Sequence, residues 1–446
     1  MTGQLRNGFV TTCVLAATIA VAGCESAPSL PSIPGVSSLF TKEKPPLPGE
    51  RISVLSSDIG GAKNEVESKE PVKLPAAREN DSWSQPGGVA SNAPGHLAFS
   101  GAAKTLWKED AGAGSNSDGR ITALPIVHGG KVFTLDREGH VSAFSMSGGR
   151  LWRTDLKPEE EKAESGFGGG LAAEGDTLYV ATGFGSVVAL NIGSGKPVWT
   201  KPLGVPIRSS PTVANGKVFV VNTESELYAL SAKDGTQLWT ARGLPEGASI
   251  LSNVSPAVSG NMLVVSYASG ELTAFDIATG QQKWTDSVSG SAISGLSLTA
   301  IGDAARPVID DGIVFAGSRS GRMIATSLKN GERVWSRDIQ AAQTPWVAGG
   351  TVFVLDTNSR IYALERKTGK IRWVTGLPTA KTWSGPTLAG GKLWMASNKG
   401  LLVGVDATSG QIATQRDLDN PVFISPIVAN GRMFVLTDKA NLIAMN

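Results

Sequence analysis

Few side chains in this sequence have the types and spacing that metal binding or catalysis requires. The chain of 446 residues contains three histidines, His96, His128 and His140, and they lack the close spacing of a zinc motif. The glycine-rich segment Gly166–Gly170 has neither the lysine nor the following helix of a phosphate-binding loop. We therefore expect no metal site at the histidines, and we interpret the glycine-rich segment as a turn.

Three carboxylates could act as general acids or bases, but their positions favour a structural role. Asp234, Asp276 and Asp406 each lie in a turn that recurs along the chain, one or four residues before a glycine. An aspartate in such a turn commonly accepts hydrogen bonds from nearby backbone N–H groups. We therefore interpret all three as turn residues and expect no catalytic residue among them.

The thiol of Cys24 has surroundings that indicate a defined chemical modification. It follows Val21-Ala22-Gly23, at the end of a segment that begins with a basic region and continues as a short apolar run. This order of regions is typical of a secretory signal peptide. The last four residues resemble the bacterial lipobox, in which the cysteine is lipidated. We predict a signal peptide over residues 1–23 and a lipid anchor on Cys24; the alternative is an ordinary signal peptide with an incidental cysteine.

The composition changes after the predicted anchor. Residues 24–80 begin with a segment rich in proline and serine, and we predict an extended tether there. Glu25 does not specify the sorting of a lipoprotein, and we expect the outer membrane. The net charge of only +2 gives no electrostatic reason to expect nucleic-acid binding. Cys13 lies inside the predicted signal peptide, so no cysteine pair remains for a disulfide in the folded part.

The elements that would have to position any site come from a long internal repeat. Seven tryptophans recur along the chain, and a glycine lies four residues before six of them; the tryptophans are Trp107, Trp152, Trp199, Trp239, Trp284, Trp335 and Trp373. The next unit keeps Gly410 but has Thr414 in place of the tryptophan. Each unit reads as four short strands separated by turns, and Asn215-Gly216 is a strong hairpin signal. A period in the forties with four strands per unit predicts a β-propeller.

The two ends of the chain determine the number of blades. The last 22 residues supply three strands without the glycine–tryptophan strand, whereas Trp107 has no three strands before it. Together they form one composite blade beside seven complete units. We therefore predict an all-β fold over residues 81–446, an eight-bladed propeller with four-stranded blades whose ring is closed by N- and C-terminal strands. The glycine supplies a tight turn, and the tryptophan packs in the seam between blades.

The repeated element A-x-D-x-x-x-G-x-x-x-W, best matched at Ala274–Trp284, resembles the repeat of the pyrroloquinoline quinone (PQQ) dehydrogenase superfamily. That resemblance implies the propeller fold and is weak for activity. It leaves open an enzyme that holds calcium and the quinone in a central funnel. Such an enzyme would have calcium-binding carboxylates, a cofactor-clamping arginine and, in many alcohol oxidisers, a disulfide between adjacent cysteines; the predicted mature chain has no cysteine pair.

The lipobox, the tether and the eight predicted blades together resemble the BamB family of outer-membrane lipoproteins, as does the segment "SWSQPGG" at Ser82–Gly88. The resemblance implies a scaffold without cofactor or enzymatic activity, anchored in the outer membrane and facing the periplasm. It implies binding to a POTRA domain of BamA and to the other assembly lipoproteins, and assistance to unfolded outer-membrane proteins. A propeller that serves another envelope complex is a further alternative.

The same resemblance implies that BamA contacts two neighbouring inter-blade loops. By repeat order these are Gly247–Pro256 and Ser297–Pro307. The candidate partner-binding residues on them are Ile250, Leu251, Asn253, Asp303 and Arg306. The family pattern has an arginine after the apolar pair. This sequence lacks that arginine, so Arg306 or Arg208 would have to replace it. Of the acidic pair expected on the second loop, only Asp303 is present.

Overall fold

The computed structural model describes residues 66–117, 119–162, 166–244, 255–289, 305–319, 321–341 and 343–446. The predicted signal peptide, Cys24, most of the predicted tether, and the candidate residues Ile250, Leu251, Asn253 and Asp303 lie outside these residues. Within the described ranges no helix is long and apolar enough to cross a membrane.

The described part of the chain is built from 32 β-strands. In chain order they are β1 (Thr105–Asp110), β2 (Ile126–His128), β3 (Lys131–Leu135), β4 (His140–Ser145), β5 (Arg150–Asp155), β6 (Gly169–Glu174), β7 (Thr177–Thr182), β8 (Ser186–Asn191), β9 (Pro197–Pro202), β10 (Thr212–Ala214), β11 (Lys217–Val221), β12 (Glu226–Ser231), β13 (Gln237–Arg242), β14 (Ala257–Ser259), β15 (Met262–Ser266), β16 (Glu271–Asp276), β17 (Gln282–Ser287), β18 (Val308–Asp310), β19 (Ile313–Gly317), β20 (Met323–Ser327), β21 (Arg333–Arg337), β22 (Trp346–Ala348), β23 (Thr351–Leu355), β24 (Arg360–Glu365), β25 (Ile371–Gly376), β26 (Trp383–Ala389), β27 (Lys392–Ser397), β28 (Leu401–Asp406), β29 (Ile412–Asp417), β30 (Ile427–Ala429), β31 (Arg432–Leu436) and β32 (Asn441–Met445).

These strands form eight antiparallel sheets of four strands each, which confirms the predicted eight-bladed propeller. Strands β2–β5, β6–β9, β10–β13, β14–β17, β18–β21, β22–β25 and β26–β29 form blades 1 to 7. Blade 8 has the order β1-β32-β31-β30, so the composite blade is also confirmed. In it Trp107 lies opposite Ala444, and the chain ends are joined across the sheet.

The position of each strand within a blade determines its burial. The first strands of successive blades contact one another, so they surround the propeller axis. The second and third strands are buried along almost their whole length because each sheet packs between two others. The fourth strands alternate between exposed and half-buried residues, as expected for the outer edge of a blade.

The predicted hairpin turn joins β10 to β11. Asn215 and Gly216 have φ values of 53° and 68°, the left-handed conformation that a two-residue hairpin loop requires. The prediction of a turn at Gly166–Gly170 is wrong at its end, because Gly169 and Gly170 begin β6. A Cβ on Gly170 would lie 2.0 Å from the Ser210 hydroxyl of the next blade, so glycine is needed there for close packing.

The repeated glycine and tryptophan meet across the seams between blades. A Cβ on Gly331 of blade 5 would lie 2.8 Å from the ring of Trp284, which belongs to blade 4. The Trp284 indole N–H donates to the Leu328 carbonyl of blade 5 at 2.8 Å. The same pairing recurs at six other seams, from Trp107 on Gly148 to Trp373 on Gly410. The predicted seam packing is therefore confirmed, with each tryptophan resting on the glycine turn of the following blade.

Candidate functional site

Among the predicted partner-binding residues, Arg306 is the one that the structure describes. It lies close to the propeller axis and is 8% exposed. It is the second-last residue of the predicted docking loop Ser297–Pro307, and β18 begins directly after that loop. Its Nε donates to Thr344 Oγ1 of blade 6 at 3.2 Å. A surface contact with a partner therefore cannot use this guanidinium without reaching into the protein.

Arg306 occupies a position that recurs in every blade, one residue before a proline or leucine that lies just before the first strand or within its first four residues. The eight residues at this position, called the collar below, are Leu124, Gly170, Ser210, Ser255, Arg306, Thr344, Gly385 and Ser425. Seven are small or uncharged, and Arg306 carries the single charge in the set. Collar residues of adjacent blades lie close together at two seams, between Gly170 and Ser210 and between Arg306 and Thr344.

Burial changes the electrostatics of Arg306. Loss of solvent lowers the pKa of its guanidinium to about 10, so the group is still cationic at neutral pH. Its Nη1 is buried without a hydrogen-bond partner, and so is the Ser255 hydroxyl in the preceding blade. Arg208, the other arginine considered above, is partly buried and lies over the Phe167 ring at 4.1 Å. Burial lowers the pKa of Arg208 as well.

A second feature at the axis, a segment before the first strand, is not predicted from the sequence. Residues 80–98, called the axial segment below, run once around the axis and contact the first strand of all eight blades in turn. The contact with blade 1 is reciprocal: Trp83 N donates to Val127 O at 2.7 Å, and Val127 N donates to Trp83 O at 2.9 Å. Ser84 accepts from Ala173 N of blade 2 through its backbone carbonyl at 2.8 Å.

The following contacts use both side chains and backbone. The Gln85 side-chain amide donates to Val213 O at 2.6 Å and accepts from Val213 N at 3.0 Å, in blade 3. Further along, the backbone carbonyls of Ala90 and Ser91 accept from Val258 N and Ile309 N of blades 4 and 5. The Asn92 amide donates to Pro307 O at 2.9 Å.

The remaining three blades complete the circle. The Trp346 indole of blade 6 donates to Gly95 O at 2.9 Å. Leu97 pairs with blade 7 through Leu388 O and Gly390 N. Asn80, at the start of the axial segment, contacts Val428 O and Asn430 N of blade 8. The free inner edge of the ring of strands is thus covered by the chain itself.

Aromatic packing strengthens this closure. Trp83 is 2% exposed and stacks on Trp346, with 6.1 Å between ring centroids and 28° between planes. The middle residues of the inner strands, where the axial segment binds, lie three residues after the collar, about 10 Å along an extended strand. The axis therefore has a tryptophan-lined closure at one level and the collar with Arg306 at another.

The histidines and turn carboxylates have structural partners. His96 Nδ1 lies 2.8 Å from Pro75 O, and His96 Nε2 accepts from Gly391 N at 3.0 Å. His128 Nε2 lies 2.8 Å from Gly175 O, and His140 Nδ1 lies 3.0 Å from the Asp136 carboxylate. Asp406 accepts from the backbone and hydroxyl groups of Thr408 and Ser409, which confirms its interpretation as a turn residue. No three metal-ligating side chains cluster among the residues that the structure describes.

Comparison with known proteins identifies relatives over most of the propeller. A family model described as outer membrane protein assembly factor BamB matches residues 137–375 and 377–446. The outer membrane protein assembly factor BamB of Yersinia pestis is 27% identical over 337 residues, which cover 74% of this chain and 85% of that protein. The crystal structure of BamB from Moraxella catarrhalis has a TM-score of 0.66 and 18% identity, over 77% of this chain and 99% of that one.

The fold is also similar to that of an enzyme. Quinohemoprotein alcohol dehydrogenase from Comamonas testosteroni has a TM-score of 0.65 and 13% identity, over 83% of this chain and 81% of that one. At this identity the likeness concerns the fold alone.

Proposed function

The chain belongs to the family of outer membrane protein assembly factor BamB, and from this membership we propose that it is a non-enzymatic scaffold of the outer-membrane β-barrel assembly complex. In this proposal the propeller faces the periplasm, binds a POTRA domain of BamA and other assembly lipoproteins, and assists the insertion of unfolded outer-membrane proteins. The observation that carries the proposal is the family match, which extends from residue 137 in blade 1 to residue 446 in blade 8.

The propeller axis supports a role without the quinone cofactor of the dehydrogenase superfamily. The axial segment binds the inner edges of the blades, where a central funnel would otherwise open. Calcium requires several oxygen ligands, usually including carboxylates. The collar contains no carboxylate and one buried arginine, so these residues do not fit a calcium ion.

The docking surface of the proposed scaffold is formed by the loops Gly247–Pro256 and Ser297–Pro307. By sequence they lead into β14 and β18, the inner strands of the adjacent blades 4 and 5. We assign the apolar contact to Ile250 and Leu251, with polar contacts from Asn253 and Asp303.

We assign the membrane attachment to lipid on Cys24 after removal of residues 1–23. Residues 24–80 would connect the anchor to the propeller of residues 81–446, and the outer membrane is the proposed location. Metabolic labelling with radioactive palmitate tests the anchor: the wild-type chain should be labelled and fractionate with the outer membrane. Cys24→Ala should abolish the label and release the protein from the membrane. Labelling of Cys24→Ala would refute the assignment.

The scaffold role is tested by affinity purification of the tagged protein from gently solubilised envelopes, with bound proteins identified by mass spectrometry. We expect BamA and its lipoprotein partners. The double substitution Ile250→Asp and Leu251→Asp should remove them. Val198→Asp is the matched control, because Val198 is 58% exposed on β9 of blade 2, whereas the two loops lead into blades 4 and 5. Recovery of another envelope complex without BamA would replace the proposed function.

A quinone-dependent dehydrogenase is the second candidate, favoured by the fold similarity to the alcohol dehydrogenase. Addition of calcium and PQQ to the purified protein, followed by a dye-reduction assay with alcohols and sugars, tests it. Turnover above the protein-free control would establish the enzyme, and no turnover is expected here.

A further inference from the structure

The collar has a consistent direction around the ring. Arg306 of blade 5 reaches Thr344 of blade 6 at 3.2 Å, and the Gly170 position of blade 2 faces Ser210 of blade 3. One residue beyond the collar proline, Thr212 Oγ1 of blade 3 likewise donates to Pro256 O of blade 4 at 2.7 Å. In these three cases the direction is from one blade to the following blade. By this repeat geometry we infer that Ser255 of blade 4 faces Arg306 of blade 5.

The inferred arrangement brings two unpaired hydrogen-bond donors to the same seam, between blades 4 and 5. Ser255 is fully buried and its Oγ has no hydrogen-bond partner; Arg306 is 8% exposed and its Nη1 has none. Among the described residues, no acidic side chain forms an ion pair with Arg306. A buried charge that is neither paired nor fully hydrogen-bonded destabilises a protein, and such groups concentrate at functional sites.

We propose that Ser255, Arg306 and Thr344 form a binding site for a single carboxylate at the propeller axis. A planar carboxylate has two oxygens that match a guanidinium and can accept further bonds from hydroxyl groups. One carboxylate neutralises the single charge of the collar, whereas a phosphate dianion would leave an uncompensated negative charge in a buried place. The site uses all three collar residues at the seams between blades 4, 5 and 6.

Two residues of the site lie at the ends of the predicted docking loops. Ser255 and Arg306 are the second-last residues of the two loops Gly247–Pro256 and Ser297–Pro307. The carboxylate can be that of a small free acid or of an acidic side chain presented by a protein segment. Either source uses the same donors. The site goes beyond the proposed scaffold role, because it exists in the protein without any partner.

The test measures binding of 13C-labelled acetate to the full-length chain in mild detergent, by broadening of the acetate NMR signal in chloride-free buffer. Wild type should broaden the signal saturably. Arg306→Gln should weaken binding by about tenfold or more, because a charge-assisted bond is lost. Arg242→Gln is the matched control, since this arginine has a 55% exposed side chain on β13. Equal binding by Arg306→Gln and wild type would overturn the proposal, as would displacement of acetate by equimolar chloride.

A second variant keeps the test decisive if Arg306→Gln does not fold. Ser255→Ala removes one donor and should weaken acetate binding about threefold or more. Ser425→Ala, in the collar position of blade 8, is its control and should bind as wild type. Unchanged binding by Ser255→Ala would contradict the site.

The source of the carboxylate is resolved by competition. A capped tripeptide with a central aspartate is added to the acetate complex, beside the same peptide with asparagine. Displacement by the aspartate peptide alone would assign the site to a side chain from a protein segment. Retention of acetate against both peptides would assign it to a small free acid. Either result supports a carboxylate site.

Discussion

At the scale of single residues, each seam tryptophan is held by two blades. Trp335 of blade 5 contacts Phe315 in its own sheet, with 6.1 Å between ring centroids, and donates to Arg366 O of blade 6 at 2.8 Å. The glycine turn of the following blade leaves room for the ring. This glycine therefore has two functions, since its φ is positive and its missing Cβ admits the tryptophan.

These two functions can be separated in blade 5 by two substitutions. Gly331 has φ +74° and its added Cβ would lie 2.8 Å from Trp284, whereas Gly312 has φ +73° with no atom within 4 Å. Gly312→Ala should therefore cost about 1–2 kcal/mol for backbone strain alone. Gly331→Ala should cost about 2–4 kcal/mol because overpacking is added. Urea unfolding measures both values, and equal losses would mean that the glycine is needed only for its backbone conformation.

The turn carboxylate of Asp406 predicts a pH effect. Burial raises the pKa of this carboxyl, but hydrogen bonds from Thr408 and Ser409 outweigh burial and leave the pKa below its ordinary value. A lowered folded-state pKa stabilises the protein above the unfolded pKa of about 3.9, and this contribution is lost as the pH falls through the folded-state pKa. As the pH falls from about 5 to the lowest pH at which the protein folds, the free energy of unfolding of Asp406→Asn should therefore decrease less than that of wild type.

Urea midpoints across this pH series provide the measurement. Thr408→Val keeps the carboxyl and removes one hydroxyl donor, so its pH dependence should be intermediate. Parallel curves for wild type and Asp406→Asn would contradict the prediction.

At the scale of elements, the axial segment supplies hydrogen-bond partners to the inner strands of the blades. The outer strands do not need such partners from the protein. The outer strands face solvent, where water can satisfy their free backbone groups. The inner strands are buried, and their free N–H and C=O groups need partners from the protein. The axial segment supplies these partners with a different group at each blade, backbone at Trp83 and a side chain at Gln85.

This element predicts a selective loss of stability. Gln85→Met retains bulk but leaves both Val213 N–H and Val213 C=O without their partner in a buried place. The expected cost is about 2–4 kcal/mol, from two unsatisfied groups. Ser84→Ala is the control, because Ser84 contributes its backbone carbonyl. Chemical unfolding measures the free energy of unfolding of both variants. If Gln85→Met loses no more stability than Ser84→Ala, the Gln85 amide does not have this role.

The sequence predicts the blades but not this segment, for a physical reason. Blades depend on repeated turns and alternating apolar strands, and these produce periodic signals such as Asn215-Gly216 and the seven tryptophans. The axial segment pairs with each blade through one or two residues, and such contacts have no period. The sequence predicts Arg306 as a partner-binding residue, but its burial depends on which residues the ring brings beside it. Residues 66–80, at the end of the predicted tether, also contact the propeller. Val72 is 7% exposed, and Glu67 pairs with Arg337 at 2.7 Å.

At the scale of the whole molecule, ring closure explains the irregular seventh unit. Every seam tryptophan needs a glycine turn between the third and fourth strands of the next blade. In blade 8 these two strands are β32 and β1, which belong to opposite ends of the propeller chain and have no turn between them. Lys104 and Asn446 instead pair through their backbones, with Asn446 N donating to Lys104 O at 3.0 Å. Thr414 of blade 7 therefore faces a seam without a docking turn, and a tryptophan there has nothing to rest on.

This account predicts that the consensus residue will not help at the eighth seam. Thr414→Trp restores the repeat pattern but should not raise stability, because the glycine turn that receives the ring is absent from the described blade 8. Trp373→Thr, the reverse change at the preceding seam, removes a ring that packs on Gly410 and donates to Ala407 O at 3.3 Å. That change should cost about 3–5 kcal/mol, as large-to-small core substitutions of tryptophan do. Thermal and urea unfolding of both variants against wild type measure the contrast. An increase in stability by Thr414→Trp would mean that the paired chain ends accept the ring as well as a turn does, and that the threonine is not a consequence of ring closure.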